Sequence, residues 1–288
     1  MLKRLKPSPL PPIRPVPERA ATGELAEIYE RTKRGLGVPW MGVVAMAFAR
    51  YPSFYKTFWQ ALEPVAATEA FVAACQDLRN FAEMRAGSFS PPPIKARLED
   101  AGYDAAELEQ IIACNEVFSA GNMPYLLMAS LARTLLEGQA WTAQGEAAPR
   151  SALAAAGEHP VLMEAHHASP DTAALYADLR ETLGLPFVNT DYRAFARWPS
   201  YIAAAWEDLK PVIRSGGYEP AVQDIHERAV ELALGLPNAT GLTPDALEAA
   251  AAQDADPNEV LAVVRLFQWL LPGLAFNVAF LRAQLVTG

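Results

Sequence analysis

Apolar residues recur three and four positions apart through most of the chain, as at Ile111, Ile112, Asn115 and Phe118 or at Ala194, Phe195 and Trp198, and no alternating apolar–polar run breaks that rhythm. The pattern predicts helices throughout. Their ends are marked by local chemistry. Gly37 and Gly184 suit left-handed C-terminal caps, Pro52 and Pro199 stand where new helices begin, and Ser169-Pro170 reads as an N-cap followed by a first-turn proline. The most apolar late stretch, Leu266 to Leu281, is interrupted by Gln268, Pro272 and Asn277 and is shorter than the roughly 20 residues that cross a bilayer. It is expected to be a buried core helix. The predicted fold class is all-α.

The helical pattern is written twice. Residues 38–64 align with residues 185–211 at a constant offset of 147, which superposes Pro39 on Pro186, Phe48 on Phe195, Arg50 on Arg197, Pro52 on Pro199 and Trp59 on Trp206. The offset drifts to 149 later, where Phe118 meets Phe267 and Arg133 meets Arg282. The implied organisation is a Pro-rich arm over 1–19, a helical repeat over 20–138, a linker over 139–167 and a second repeat over 168–288. Two such units on one chain are expected to pack face to face as a pseudo-dimer with a crevice between them. Arg50 and Arg197 occupy the same place in both repeats, which argues for a structural role.

Composition narrows the function. Half of the 288 residues are hydrophobic (51%), enough for a substantial core, and the net charge of −9 argues against a nucleic-acid partner. Cys75 and Cys114 are the only cysteines and lie too far apart in sequence for a Cys-x-x-Cys unit, which fits a reducing, cytoplasmic setting. The basic start lacks an apolar export core, and no membrane association is expected. Adjacent His166 and His167 diverge on a helix, so no metal or other cofactor is predicted. The prolines from Pro7 to Pro17 read as an extended arm packed on its own or a neighbouring subunit. The outer helix faces are compatible with a homodimer, and nothing in the pattern fixes one.

Function is sought where the repeat breaks its own symmetry. Asp191 corresponds to Val44 and lies one helical turn before Phe195; Asn115 corresponds to Val264 and precedes Phe118 by three. Both polar groups are expected on inward faces. Burying a lone carboxylate costs several kcal/mol, on the order of the penalty for an uncompensated ion, so placing it in one copy only requires a reason. Catalysis is one reason. The structural alternatives are that Asp191 caps the helix beginning near Asn189 and Thr190, and that Asn115 is a satisfied buried or exposed amide.

The double repeat, the segment Val188-Asn189-Thr190-Asp191, the Asn115-x-x-Phe118 pair and Trp40 after Pro39 resemble the group I 2-haloacid dehalogenases, which act on both D and L substrates. The resemblance covers nearly the whole chain. It implies an all-helical pseudo-dimer that hydrolyses small 2-halocarboxylic acids to 2-hydroxy acids without a covalent intermediate. Asp191 would activate water, Asn115 would orient it, and Asn189 and Thr190 would lie at the substrate carboxylate. Trp40, Phe187 and Phe267 would wall the pocket. Phe118 stands where that family's tyrosine is expected and Val43 where its phenylalanine is, which puts substrate size in doubt; Thr68 and Glu69 do not cleanly match its threonine–glutamate pair.

Displacing halide beside a carboxylate needs an in-line nucleophile, an anchor for the carboxylate and a dry cradle for the leaving group. An aspartate of ordinary pKa, about 4, must be desolvated to act as a base near neutrality. Two other classes remain open. Gly184-Leu185-Pro186-Phe187 followed by Ala194-Phe195-Ala196-Arg197-Trp198-Pro199 also resembles the carboxymuconolactone decarboxylase and alkylhydroperoxidase D group, although that group's cysteine pair is missing. A non-enzymatic helical scaffold is the third.

Overall fold

Several helices begin or end where the sequence supplies a cap, a left-handed glycine or a first-turn proline. The computed structural model describes residues 2–145, 148–150 and 158–286. Its helices run in the order α1 (Glu24–Leu36), α2 (Val43–Phe48), α3 (Pro52–Ala66), α4 (Glu69–Gly87), α5 (Lys95–Asp100), α6 (Ala105–Leu136), α7 (Pro170–Leu183), α8 (Thr190–Phe195), α9 (Pro199–Ile213), α10 (Tyr218–Gly235), α11 (Pro244–Asp254) and α12 (Pro257–Val286). The all-α expectation holds among the described residues. α1 and α7 end in left-handed glycines, Gly37 at φ 69° and Gly184 at φ 61°. Pro52 and Pro199 open α3 and α9, and Ser169 caps α7. Asp104 and Glu107 form a reciprocal capping box on α6. Thr68, whose role the sequence left unplaced, caps α4 by accepting from the Phe71 amide at 3.2 Å.

The two longest helices, α6 with 32 residues and α12 with 30, pack along one another at the centre, and α4 and α10 flank them. Here the sequence expectation needs correcting. α12 is longer than the apolar stretch Leu266–Leu281 suggested and reaches the roughly 20-residue length of a membrane span. It is nonetheless a core helix, with 72% of its most apolar window buried. Around this pair runs an aromatic chain: Trp40 meets Phe118 at 5.0 Å between ring centroids, Phe118 meets Phe195 at 5.5 Å, and Phe48 meets Phe267 at 6.3 Å. Arg197 stacks over Trp198 at 4.8 Å, a packing contact on the Trp face.

The expected linker over 139–167 falls partly outside the described residues, at 146–147 and 151–157. Its described parts bind to both sides: the Trp141 indole donates to the Leu236 carbonyl, the Glu69 amide to the Ala148 carbonyl and the Met163 amide to the Arg193 carbonyl. The Pro-rich arm lies on its own chain. The Leu2 carbonyl accepts from His226 Nε2 (2.7 Å), the Lys3 carbonyl from Arg133 (2.8 Å), and Arg4 Nε donates to the Trp269 carbonyl (2.9 Å). Farther along, the Val16 amide donates to the Met46 carbonyl and its carbonyl accepts from the Tyr29 hydroxyl. Burial pushes His226 down to about 4, so the neutral ring donates through Nε2 while Nδ1 faces Gln268.

Phe195 is fully buried and joins the aromatic chain to Tyr201 at 5.9 Å. Phe195→Ala is expected to lower the unfolding free energy by about 3–5 kcal/mol, measured by denaturant titration, because the cavity it leaves is walled by rigid rings.

Candidate active site

α2 and α8 are short helices at whose N-terminal ends the chain passes close to the α6–α12 pair. Between them lies a small cavity of about 40 Å³. One wall is built from Trp40, Val43 and Val44 with Asn122 and Tyr125 of α6, the other from Phe187, Asn189, Thr190 and Asp191 with Phe267 and Leu274 of α12. The cavity therefore takes residues from both sequence repeats. Outside it, an open recess of about 470 Å³ shares Val43, Phe187 and Val188 with the cavity and carries Arg180, Arg193 and Glu164 at its rim.

Asp191 sits in the second position of α8 and is 2% exposed. The N-cap of that helix is Asn189, which makes no side-chain capping bond, so Asp191 does not serve as the cap. Its Oδ1 accepts instead from the Asn122 side-chain amide at 2.6 Å. Burial pushes the carboxyl up to about 6, against the opposing pull of Asn122, its own backbone amide and Arg193. One side-chain donor is too little to hold a carboxylate fully ionised in an apolar wall.

Seven of the nine residues singled out from the sequence line this cavity: Trp40, Val43, Phe187, Asn189, Thr190, Asp191 and Phe267. Asn115 and Phe118 do not. Asn115 is buried seven residues before Asn122, two turns back on the same face of α6, with neither amide atom hydrogen-bonded. It faces the similarly unpaired Tyr201 hydroxyl, near enough to interact electrostatically but outside hydrogen-bonding geometry. Phe118 lies one turn from Asn122 and packs between Trp40 and Phe195. The Asn-x-x-aromatic pair that lines the cavity is instead Asn122 and Tyr125, seven residues farther along α6. Tyr125 donates to the Trp40 carbonyl at 2.6 Å and accepts from the Gly42 amide at 2.7 Å, fixing the loop before α2. A signal for both residues was in the sequence, since at the later offset of 149 Asn122 falls on Leu271 and Tyr125 on Leu274.

Comparison with known proteins gives a consistent picture. A family described as "Halocarboxylic acid dehydrogenase DehI" matches residues 39–185. An (R)-2-haloacid dehalogenase of Rhizobium sp. (strain NHG3) is 46% identical over 250 residues, covering 85% of this chain and 96% of that protein. One of Pseudomonas putida is 40% identical over 278 residues, covering 94% and 92%. Among solved structures, a D-2-haloacid dehalogenase mutant in complex with D-2-CPA superposes with a TM-score of 0.91 at 38% identity, over 99% of this chain and 100% of that one. These findings overturn the resemblance to the D,L-acting group I: the near relatives carry the R or D designation. Trp40, Asp191 and a doubled helical pattern do not by themselves distinguish which enantiomer fits.

The carboxyl of Asp191 holds its proton more tightly in the fold, at about 6, than in the unfolded chain, where the reference is 3.8. Its contribution therefore favours the fold at low pH and is lost as pH rises from about 4 through about 6. Asp191→Asn is expected to raise the unfolding free energy by about 3 kcal/mol at pH 8 and by much less at pH 4, read from denaturant curves at the two pH values.

Proposed function

Because this chain belongs to the halocarboxylic acid dehydrogenase DehI family, we propose that it hydrolyses small (R)-2-halocarboxylic acids to (S)-2-hydroxy acids by direct attack of a water activated by Asp191. One observation carries the reading: a carboxylate buried in an apolar cavity, held through one oxygen by Asn122, with the other oxygen left for a water. The activity class, hydrolysis of the carbon–halogen bond, follows from the relatives.

In the step proposed, Asp191 takes a proton from water as the water oxygen bonds to the α-carbon. The halide leaves from the opposite face with the electron pair of the broken bond, which inverts the carbon. The raised proton affinity of Asp191 makes it a better base than an exposed aspartate while leaving it ionised above about pH 6. Asn122 locks the carboxylate orientation. The substrate carboxylate would be anchored at Asn189 and Thr190, where the Asn189 side chain makes no capping bond at the start of α8. Trp40 and Phe187 wall the cavity, whose small size suits short acids. Arg180 and Arg193 at the recess would draw an anion toward a protein of net charge −9. We read residues 20–138 and 168–288 as two copies of one unit that share this site, the first giving Asn122 and the second Asp191.

Chloride release from D-2-chloropropionate is expected to fall at least 100-fold in Asp191→Asn. It should also fall strongly in Asn122→Ala and less than tenfold in Asn115→Ala; equal loss in the two asparagine variants would return the role to Asn115. The wild-type rate should decline as pH drops below about 6. Single-turnover hydrolysis in heavy-oxygen water should place label in the product acid, whereas label appearing first on the protein would make Asp191 the nucleophile.

A further inference from the structure

Behind the active-site cavity, on the far side of Asn189, Leu270 and Leu274, lies a second cavity of about 70 Å³. It is lined by Arg4, Tyr192, Tyr218, Glu219, Trp269, Gly273 and Asn277, among others, and by none of the residues of α2 or α6. We propose that this cavity is a small-anion compartment that receives the halide released at Asp191, an inference that rests on the reading of the site as a dehalogenase.

Three observations carry it. The first is its polarity in a place where the matching positions are hydrocarbon. At offsets of 147 and 149, Tyr192 falls on Ala45, Tyr218 on Phe71 and Asn277 on Met128, the same kind of asymmetry that singles out Asp191 and Asn122. Tyr192 is 0% exposed, Asn277 1% and Tyr218 4%, so these polar groups are held inside the protein and not merely at its surface.

The second is the direction of the hydrogen bonds. Asn277 Oδ1 accepts from the Tyr218 hydroxyl at 3.1 Å, and its Nδ2 donates to the Tyr192 hydroxyl oxygen at 2.9 Å. Tyr192 therefore keeps its own proton for a further acceptor, beside a cavity it lines. Arg4 spends Nε on the Trp269 carbonyl and Nη1 on Glu219 (2.5 Å), leaving Nη2 without a further bond among the described residues. The Arg4 side chain is 5% exposed while Glu219 is 68% exposed at the rim, so the cation faces inward and its counter-charge outward.

The third is space reserved by a glycine. A Cβ on Gly273 would lie 3.1 Å from the Tyr218 hydroxyl and 3.7 Å from Arg4 Nη2, so the missing methyl leaves room where these two groups converge. Arg4 and Lys6 also stand 5.4 and 5.2 Å from the Trp269 ring, which adds positive potential on this wall. A cavity of this volume with several donors can hold a monatomic anion or a few waters. The 2-hydroxy acid, anchored by its carboxylate at Asn189, would remain on the Asp191 side.

The test is a bromide titration of the full chain at constant ionic strength, followed by tryptophan fluorescence, because a heavy halide against Trp269 quenches its emission. A saturable quench is expected, lost in Trp269→Phe and weakened at least tenfold in Gly273→Ala and in Arg4→Gln. Added L-lactate, the product expected from inversion, should leave it unchanged. Gly273→Ala sits within α12, where alanine favours the helix, and its thermal melt checks that the fold is intact. In turnover, bromide should inhibit chloride release from D-2-chloropropionate saturably in the wild type, with an inhibition constant at least tenfold higher in Gly273→Ala. A quench that never saturates, or one unaltered by Gly273→Ala and Arg4→Gln, overturns the compartment. Competition by L-lactate overturns its assignment to halide. The fluorescence titration needs no turnover, so absence of chloride release would sink the dehalogenase reading without deciding the bromide result.

Discussion

A single hydrogen bond, from the Asn122 amide to the Asp191 carboxylate, spans the seam between α6 and α8. Much of the surrounding structure serves to make that bond short and dry. Trp40, Phe187 and Phe267 keep bulk solvent from the carboxylate, and Tyr125 ties the loop before α2 to α6, which fixes the apolar wall facing Asp191. Were the carboxylate solvated, it would be a weak base with many competing partners. Enclosed with one amide, it has a defined orientation and a raised affinity for protons.

The polar pair is divided between two helices, Asp191 on α8 and Asn122 on α6. Asp191 stands opposite a valine and Asn122 opposite a leucine in the matched pattern, so neither stretch carries a complete pair. Such a division confines the charged machinery to one place at the boundary. It also keeps most of the core hydrocarbon, where unpaired polar atoms would be expensive. The polar cluster of Tyr192, Tyr218 and Asn277 follows the same rule on the other side of Asn189: three polar side chains hydrogen-bonded in a row where the matched positions are alanine, phenylalanine and methionine.

Helix boundaries were legible because they depend on local chemistry: Gly37, Gly184, Pro52, Pro199 and Ser169 act within a turn of their own positions. Asp191 was legible because a charge on an otherwise apolar face is conspicuous. Its partner was not, since Asn115 and Asn122 lie on one face of α6 two turns apart, and periodicity alone gives them equal claim. Only the contact with α8 separates them. Extending the later offset would have favoured Asn122, whose counterpart Leu271 lines the cavity. The enantiomer designation of the relatives was beyond reach for another reason, as it depends on which side of a small cavity admits an alkyl group. The role of Thr68 emerged only from its bond to the start of α4.

The arm's attachments join opposite ends of the chain, for Leu2, Lys3 and Arg4 bond to Arg133, His226 and Trp269. Leu2 and Arg4 can consequently take these seats only once partners 224 and 265 residues farther along the chain are in place. The N-terminal strap is thus a latch on the finished molecule rather than a seed for its folding, and its docking reports that α10 and α12 have already come home.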